Sequence, residues 1–447
     1  MKSKFPFPTL DLINFRFINI DVYDQMAWVH AGATLGLRNN KVVEKTKRTM
    51  FGFTAWISTT VSAGGYFSGG GAYGSRKTKL AQVPPSVTVF SGSITLEQGA
   101  ISLVQKRIRS GGHDYEGLSY TSPLTNTPFV LLDLSNLNSI DVDIDKRTAW
   151  VQTGATIGQL YYRIAEKSLV HAFAAGALSR TLEEGATDLV HKWQYIAYKL
   201  PKDLALFASL AKANASNTTT TSTGQASFQA LFLGGTTELL EIMQENFSEL
   251  GLKREDCIEM SWIQSVLFFA GLPTTNVSLN AFEANILLSN FKGASDYVKQ
   301  PISKTGLQGI WRNIVQMSST SILQLQAYGG RMSEISDTSI PFPHRAGNTY
   351  KILYLVNNDN NIEELRRLYK YMTPYVSKSP RAAYLNARDL DLGHNEMWTN
   401  YTPSYEEAKI WGSKYFKNNF DRLVKVKSRI DPDNFFRNEQ SIPPSFT

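Results

Sequence analysis

The chain has 447 residues, of which 42% are hydrophobic and 12% aromatic, so it is long enough and apolar enough for two packed domains. Its formal net charge of +7 comes from lysines and arginines scattered along the chain, which argues against a nucleic-acid-binding surface. A single cysteine, Cys257, excludes an intrachain disulfide, and we expect neither a metal site nor a membrane span.

The N-terminal segment is a poor secretion signal, because Pro6, Pro8 and Asp11 interrupt its apolar run. Asn-x-Ser/Thr acceptors nevertheless occur at five places, as is natural for a secreted glycoprotein. They are Asn214, Asn217, Asn246, Asn276 and Asn400.

One long phrase occurs twice. Residues 6–36 and 128–158 align without a gap and are identical at 15 of 31 positions. A second echo pairs "TLEQGA" at Thr95–Ala100 with "TLEEGA" at Thr181–Ala186. Between these landmarks the first copy has a glycine-rich run, Val61–Gly74, which the second copy lacks. The copies are too unequal for a solenoid, which favours a partial duplication or two joined gene fragments.

The hydrophobic pattern predicts strands and helices mixed along the chain, an α+β class. Thr156 and the Ser404/Glu407 pair are predicted to cap helices. Residues 214–225 are polar and are expected to form a loop. The predicted strands are Phe129–Leu137 and Thr148–Gly154, which an Asp-rich turn separates as in a strand pair, and Ser227–Gly235. The predicted helices are Thr156–Lys167, Thr181–Leu200, Thr236–Leu250 and one that ends near Ile430, before Pro432.

Several phrases could carry chemistry, each beside a structural alternative. His113 follows two glycines in "RSGGHDYEGLSY" and could act as a base, a metal ligand or a nucleophile toward a cofactor. The glycine-rich run could cradle a phosphate or be a simple turn. His344 and Arg345 could face an anion or belong to a loop before a strand. The charged residues of "LNARDLDLG", residues 385–393, favour a salt-bridged scaffold near a strand end.

Taken together, "RIRSGGHDYEGLSY", "FVLLDLSNLNSIDVDIDKRTAWVQTGATIG", "PFPHRAGNTYKILY" and "YLNARDLDLG" resemble the berberine bridge enzyme-like FAD-linked oxidases of plants. That group includes cannabinoid synthases and oxidases of monolignols and carbohydrates. The resemblance implies a PCMH-type (vanillyl-alcohol-oxidase-like) FAD-binding domain, here truncated, plus a substrate domain with an antiparallel sheet and helices. It divides the chain into a partial duplicate (1–100), the FAD-binding domain (101–186), the substrate domain (187–380) and a C-terminal segment that returns to the flavin (381–447).

The resemblance also assigns residues to roles. His113 matches the histidine that the family links covalently to FAD. Tyr384 and Asn386 match positions beside the flavin. Further cofactor-binding residues are Arg109, Ser110, Gly111, Gly112, Asp114, Gly117, Gly154, Ala155, Thr156, Ile157 and Gly158. The residues expected to line the substrate pocket are Gln326, Tyr328 and Lys351.

The chain departs from the family pattern at the flavin and at the reaction centre. The family's second covalent attachment, a cysteine, should follow "HAFAAG", but Gly176 continues directly into "ALSRTLEEGATDL". Cys257 matches a different, substrate-domain position. The first copy keeps a version of the missing loop, with Tyr66 where the family has histidine. At the reaction centre, Ala387 stands where a tyrosine commonly serves as the base, and Leu353 replaces a glutamine.

These departures set the expected function. We expect an FAD-dependent oxidoreductase that passes a hydride from an alcohol, sugar or phenol to flavin, with O2 reoxidising the flavin to give hydrogen peroxide, and with weak or lost activity. The alternative is a non-catalytic family member or a gene-model artefact. The expected partners are a small-molecule substrate and O2, without nucleic acid, and the protein is expected to be a monomer. The family's location is the cell wall or exterior, or the vacuole.

Overall fold

The computed structural model describes residues 18–21, 26–29, 105–110, 112, 114–121, 129–143, 148–167, 172–214, 222–269, 272–275, 277, 291–318, 321–357, 362–395 and 404–445. Several positions singled out in the sequence lie outside the described residues. They are Gly111, His113, the glycine-rich run around Tyr66, and the acceptors Asn217, Asn276 and Asn400.

The strands of the N-terminal part are short and pair in twos. They are β1 (Ile18–Asp21), β2 (Met26–Val29), β3 (Gln105–Arg109), β4 (Phe129–Asp133), β5 (Ile140–Asp143) and β6 (Thr148–Val151). β3 and β4 are parallel, whereas β1 pairs with β2 and β5 with β6 in antiparallel fashion. Helix α1 (Ile157–Ala165) follows and packs on β5.

The sequence repeat is also a structural repeat. In β1–β2, Ile18 lies opposite Val29, and in β5–β6 the equivalent Ile140 lies opposite Val151. β1 also lies close to β6. Equivalent positions are therefore paired in the same register in both copies, and the two strand pairs are neighbours.

The C-terminal part is built on an antiparallel seven-stranded sheet in the order β10-β7-β9-β8-β12-β13-β11. Its strands are β7 (Ala172–Thr181), β8 (Leu204–Asn214), β9 (Ser222–Phe232), β10 (Cys257–Ser261), β11 (Phe291–Val298), β12 (Ser321–Ala327) and β13 (Tyr350–Asn357). Helices are α2 (Ala186–Ile196), α3 (Thr236–Phe247), α4 (Trp262–Phe269), α5 (Lys304–Gln316), α6 (Arg331–Glu334), α7 (Ile362–Tyr371), α8 (Tyr405–Phe416) and α9 (Asn419–Ile430). Short 3₁₀ turns occur at Ala197–Lys199, Ser248–Leu250, Arg254–Asp256 and Leu390–Leu392.

The junction between Gly176 and Ala177 falls inside β7. Gly176 lies opposite Cys257 of β10 and Ala230 of β9, and Ala177 continues opposite Gln229. Residues from both sides of the junction thus form one strand of the large sheet. The predicted boundary between domains, at residue 186, follows this strand.

Strand alternation gives the large sheet two different faces. One face packs under α2, α3, α5 and α7 and forms the main hydrophobic core, with Trp193, Phe228 and Trp311 among its buried side chains. The opposite face carries a second buried cluster that is rich in aromatic rings. We call this second cluster the aromatic face: Tyr115, Phe207, Leu231, Met260, Phe269, Phe291, Tyr297, Tyr328, Phe342, Leu353, Ala382, Tyr384 and Ala387.

The α+β class is confirmed, and so are the caps at Thr156 and Ser404, each of which forms a complete capping box. Three predicted elements are wrong in part. β6 pairs with Ile140–Asp143, inside the Asp-rich stretch predicted as a turn, because Val142 and Val151 pack into a core with α1. The predicted helix from Thr181 begins only at Ala186, since Thr181 ends β7. The predicted loop 214–225 is shorter, because its residues from Ser222 belong to β9.

Cys257 is partly exposed, and its thiol donates to the carbonyl of Lys253 (3.4 Å). Asn246, one of the glycosylation acceptors, lies in α3 and donates to the carbonyl of Ile242 (2.8 Å).

Across the described ranges, no helix is both long enough and apolar enough to cross a membrane.

Candidate active site

A buried cation–aromatic pair lies at the centre of the aromatic face. Nζ of Lys351, on β13, is 3.6 Å from the centre of the Tyr384 ring, and both side chains are almost fully buried. Tyr384 is held from the backbone, since its N–H donates to Oγ of Ser295 (2.8 Å). Burial lowers the pKa of Lys351 to about 7, because an ammonium group loses its hydration there. Lys351 can therefore gain or lose a proton near neutral pH.

The two substituted positions lie in this same cluster. Ala387 and Leu353 are both completely buried, and the N–H of Ala387 donates to the carbonyl of Tyr384 (3.0 Å). Neither side chain can donate or accept a proton. The structure thus brings together Lys351, Tyr384, Ala387 and Leu353 and places apolar groups at two of the four positions.

The other predicted substrate residues lie beside Lys351. Gln326, on β12, is directly opposite Lys351 in the strand register. Tyr328 follows the end of β12 and stacks on Tyr297 with ring centres 5.6 Å apart. Burial raises the pKa of Tyr328, so its hydroxyl stays protonated. These residues form one wall of the aromatic face.

A second wall comes from the loop before β13. The His344 ring stacks on Tyr297 (4.1 Å between ring centres), and its Nε2 is 2.9 Å from the carbonyl of Tyr415. Burial, reinforced by Lys417, lowers the pKa of His344 to about 3, so the ring is neutral. The Arg345 guanidinium lies 4.8 Å from the Phe342 ring and, among the described residues, forms no ion pair. Sequence reasoning had left these two residues undecided between an anion site and a scaffold.

The predicted cofactor residues of the N-terminal part are largely engaged with other protein groups. Arg109 pairs with Asp133, and Ser110 Oγ donates to the carbonyl of Thr153. The carboxylate of Asp114 accepts from two backbone N–H groups of its own turn and forms an ion pair with Arg388 (2.8 Å). Gly112 and Gly117 both have φ near +70°, a conformation that glycine adopts without strain. Asn386 lies within 3.5 Å of the Tyr384 hydroxyl.

The turn before α1 leaves few amides for a ligand. The N–H groups of Gly154, Ala155 and Thr156 donate to Leu137, Gln152 and Gln159, respectively. A Cβ at Gly154 would lie 1.5 Å from the carbonyl oxygen of Leu134, so this glycine is required by the packing of the chain. The amides of Ile157 and Gly158 begin the helix, where N–H groups have no acceptor one turn earlier.

Unpaired polar atoms indicate that this region is built for a polar group. Thr153 Oγ1, Ser119 Oγ and Tyr115 Oη are buried and have no hydrogen-bond partner in the described part of the chain. Buried polar atoms are rarely left unpaired in a native protein. These atoms, with the first-turn amides of α1, fit the phosphates and hydroxyls of a dinucleotide cofactor.

Buried ion pairs join the N-terminal segment to the C-terminal segment. Arg107 donates to both carboxylate oxygens of Glu439 (3.1 and 2.7 Å), and both side chains are at least 95% buried. Lys292 pairs with Glu116 and with Asp389 (2.6 Å to the latter). Asp391 pairs with Arg366 (2.7 Å). The salt-bridged scaffold predicted for residues 385–393 is therefore present, but it surrounds a 3₁₀ turn and not a strand end.

The lowered pKa of Lys351 predicts a pH-dependent stability. Below pH 7 this lysine is charged in both the folded and the unfolded chain. The free energy of unfolding is then lowest, because the folded state holds a buried charge. Between pH 7 and about 10.5 only the unfolded chain keeps the proton, so stability rises with pH, by at most about 1.4 kcal/mol per pH unit. Relative to wild type, Lys351→Met should stabilise most below pH 7 and least near pH 10 in urea unfolding. The exposed Lys370→Met is the control, and an equal pH trend in both variants would contradict the assignment.

Comparisons with known proteins identify the family of this chain. A family model described as "FAD binding domain" matches residues 102–183, and one described as "Berberine and berberine like" matches residues 383–443. The chain is 41% identical over 440 residues to a tetrahydroberberine oxidase of Berberis wilsoniae, covering 76% of this chain and 81% of that protein. It is 37% identical over 429 residues to a monolignol oxidoreductase of Arabidopsis thaliana, covering 75% and 79%.

A solved structure also matches the fold. It is that of Phl p 4, a grass pollen allergen with glucose dehydrogenase activity, with a TM-score of 0.70 and 32% identity over 78% of this chain and 87% of that chain. The predicted fold, a PCMH-type FAD-binding unit joined to an antiparallel substrate sheet, is confirmed. The chain belongs to the berberine bridge enzyme-like family of FAD-linked oxidoreductases.

Proposed function

We propose that this chain is an FAD-dependent oxidoreductase acting on an alcohol, a sugar or a phenol, with O2 as the final acceptor and hydrogen peroxide as product, and that its turnover is weak or absent. The observation that carries the proposal is Ala387. It is completely buried beside the Lys351–Tyr384 pair, at the position where the family commonly has its tyrosine base. Loss of one acid–base group typically costs about 10²–10⁴-fold in rate.

The cofactor would be held by the N-terminal segment. Thr153, Ser119 and the first amides of α1 supply unpaired polar groups, and His113 is proposed as the single covalent attachment, without a second cysteine link. When bound, FAD supplies the hydride acceptor. The ion pairs of Arg107 and Lys292 hold the C-terminal segment, which carries Tyr384, against the N-terminal segment.

Lys351 is the residue that can still move a proton. Its pKa of about 7 lets Nζ accept the proton of a substrate hydroxyl near neutral pH, in place of the absent tyrosine. The Tyr384 ring, at 3.6 Å from Nζ, favours the ammonium that forms once the proton has been accepted. Gln326, opposite Lys351, and Tyr328 add polar groups that could orient the substrate. Aromatic rings on both walls exclude water and suit a flat or cyclic substrate.

The charge of the aromatic face favours some substrates over others. Within its described part, Lys351 and Arg345 are cations without an ion-paired carboxylate, and Asp296, on the other face of the sheet, is paired with Arg381. A protonated amine would add a further positive charge in a poorly hydrated site, which is costly. A neutral sugar, an alcohol or a phenol is therefore favoured over an amine.

The second candidate function is a non-catalytic remnant that binds a ligand without turnover. The observation in its favour is that β7 runs without interruption through the Gly176–Ala177 junction, so the large sheet is complete although the family's glycine-rich loop is missing after Gly176. Transcript sequencing across this junction separates a real deletion from a gene-model artefact, because an omitted exon would restore the loop.

The covalent link gives a direct test of the flavin proposal. The wild-type chain, expressed with an added secretion signal, is expected to keep a yellow colour in its acid precipitate. His113→Ala is expected to lose that colour. The matched control is His394→Ala, which removes an exposed histidine and should keep it. The measurement is the absorbance spectrum of the redissolved pellet. A colourless but soluble wild-type protein would contradict the flavin proposal and favour the non-catalytic remnant.

A further inference from the structure

A cavity lies outside the aromatic face. It has a volume of about 480 Å³ and is bounded by the ends of β11 and β13, by residues 377–382 and by the adjoining ends of α8 and α9. This volume is within the range of small-molecule sites. We call it the lysine cleft, because Lys299, Lys378, Lys409 and Lys417 all line it. Neither Lys351 nor Tyr384 is among its lining residues.

The charges of the lysine cleft are unbalanced. Four lysines face one carboxylate, Asp421, and that carboxylate already accepts a hydrogen bond from the Tyr405 hydroxyl (2.5 Å). The pKa of Lys417 is lowered, first by burial and then by the positive charge of Lys299, and only Asp337 acts in the opposite direction. Like charges brought together in a concave space repel one another unless an anion lies between them.

The backbone of the cleft is also unusual. Ser379 and Lys417 have φ values of 58° and 47°, a left-handed conformation that non-glycine residues seldom adopt. Asn434 is the other non-glycine residue with positive φ in the described ranges, so two of three such residues line this one cavity. Strain of this kind concentrates where a chain is shaped around a ligand.

The floor of the cleft offers neutral hydrogen-bonding groups. Ser377 and Asn348 are both more than 90% buried there. Ser377 Oγ accepts from the N–H of Ala382 (3.0 Å), which leaves its own proton for a ligand. Hydroxyl and ammonium donors with few acceptors match a group that is rich in acceptor oxygens.

We propose that the lysine cleft binds a small molecule that carries an anionic phosphate or sulfate ester group. Three non-bridging oxygens can each accept from a different lysine, while Ser377 donates from the floor. A concave cleft of about 480 Å³ fits a small molecule better than an extended polyanion, which would need a longer surface. This proposal does not depend on bound flavin or on turnover.

The test is calorimetric titration of the full chain at pH 7 and constant ionic strength. The titrants are inorganic phosphate, inorganic sulfate, glucose 6-phosphate and, as a neutral control, glucose. We expect saturable binding of at least one anion and none of glucose. The anion that binds with the higher affinity, phosphate or sulfate, shows which kind of ester the cleft prefers. In the double variant Lys299→Gln/Lys417→Gln, affinity should fall by about tenfold or more, since a hydrogen bond to a charged group is worth about 1.5–3 kcal/mol.

Two further variants keep the test decisive. Lys378→Gln/Lys409→Gln removes the two other, fully exposed lysines and should weaken binding even if the first variant folds poorly. The control Lys370→Gln/Lys425→Gln removes two exposed lysines that do not line the cleft and should leave the affinity unchanged. No saturable binding by wild type, or an equal loss in the control, would overturn the proposal.

Discussion

Ala387→Tyr is expected to raise the rate of substrate oxidation by about 10²–10⁴-fold over the wild-type chain, the range by which a positioned acid–base group accelerates a reaction. Ala387 is completely buried next to Lys351 and Tyr384, so a hydroxyl introduced there would enter the cluster that already holds the titratable lysine. The nearby cation would favour the deprotonated phenol. The measurement is peroxide release on a panel of alcohols, sugars and phenols, normalised to bound flavin.

The control for this variant is Ala387→Phe, which adds the same ring without the hydroxyl. Both variants place a large side chain in a filled site, and both are expected to lose stability by about 1–3 kcal/mol. A gain confined to tyrosine would therefore report the proton acceptor and not a change of shape. Equal rates for the two variants, with equal flavin content, would show that the missing hydroxyl is not what limits the chain.

Local features of the fold could be predicted from the sequence. The spacing of Ile157, Leu160, Tyr161 and Ile164 predicted α1, and all four side chains are buried on one face. Thr156 and Ser404 form the expected caps because a capping box needs only residues within one turn. Such elements depend on neighbours in sequence, which a single chain displays directly.

Strand pairing could not be predicted in the same way. β6 was assigned to the wrong partner because alternation marks a strand but does not say which strand it joins. The helix predicted from Thr181 begins too early, because Ser179–Thr181 end β7 and are fixed there by pairing with β9. Pairing with residues 44 positions (Thr181 with Gln225) to 89 positions (Ala172 with Ser261) further along the chain decides this segment.

The candidate site shows the same division. Resemblance brought Lys351, Tyr384 and Ala387 to one place, and the structure puts them together. It did not indicate that Lys351 is buried without a paired carboxylate, which gives it a pKa near 7. It also gave no sign that Arg107 meets Glu439, which is 332 positions away. Burial and long-range partners are properties of the packed chain.

The Arg107–Glu439 pair is expected to be the most important single contact between the flavin-binding segment and the C-terminal segment. Glu439→Gln would leave the Arg107 guanidinium in a site where its side chain is only 1% exposed, opposite an uncharged amide. Removal of one partner from a buried ion pair costs about 3–5 kcal/mol, because the remaining charge has lost both water and its counter-ion. Urea unfolding, followed by tryptophan fluorescence, measures this loss.

The same variant should also weaken flavin retention, since Arg107 lies in β3, immediately before the Arg109–Gly117 loop. Glu334→Gln is the matched control: its ion pair with Lys202 is exposed, so water replaces the lost partner and the unfolding midpoint should stay at the wild-type value. If Glu439→Gln unfolds at the wild-type midpoint as well, the C-terminal segment is held to the flavin loop by apolar packing, and the buried pair only sets its register.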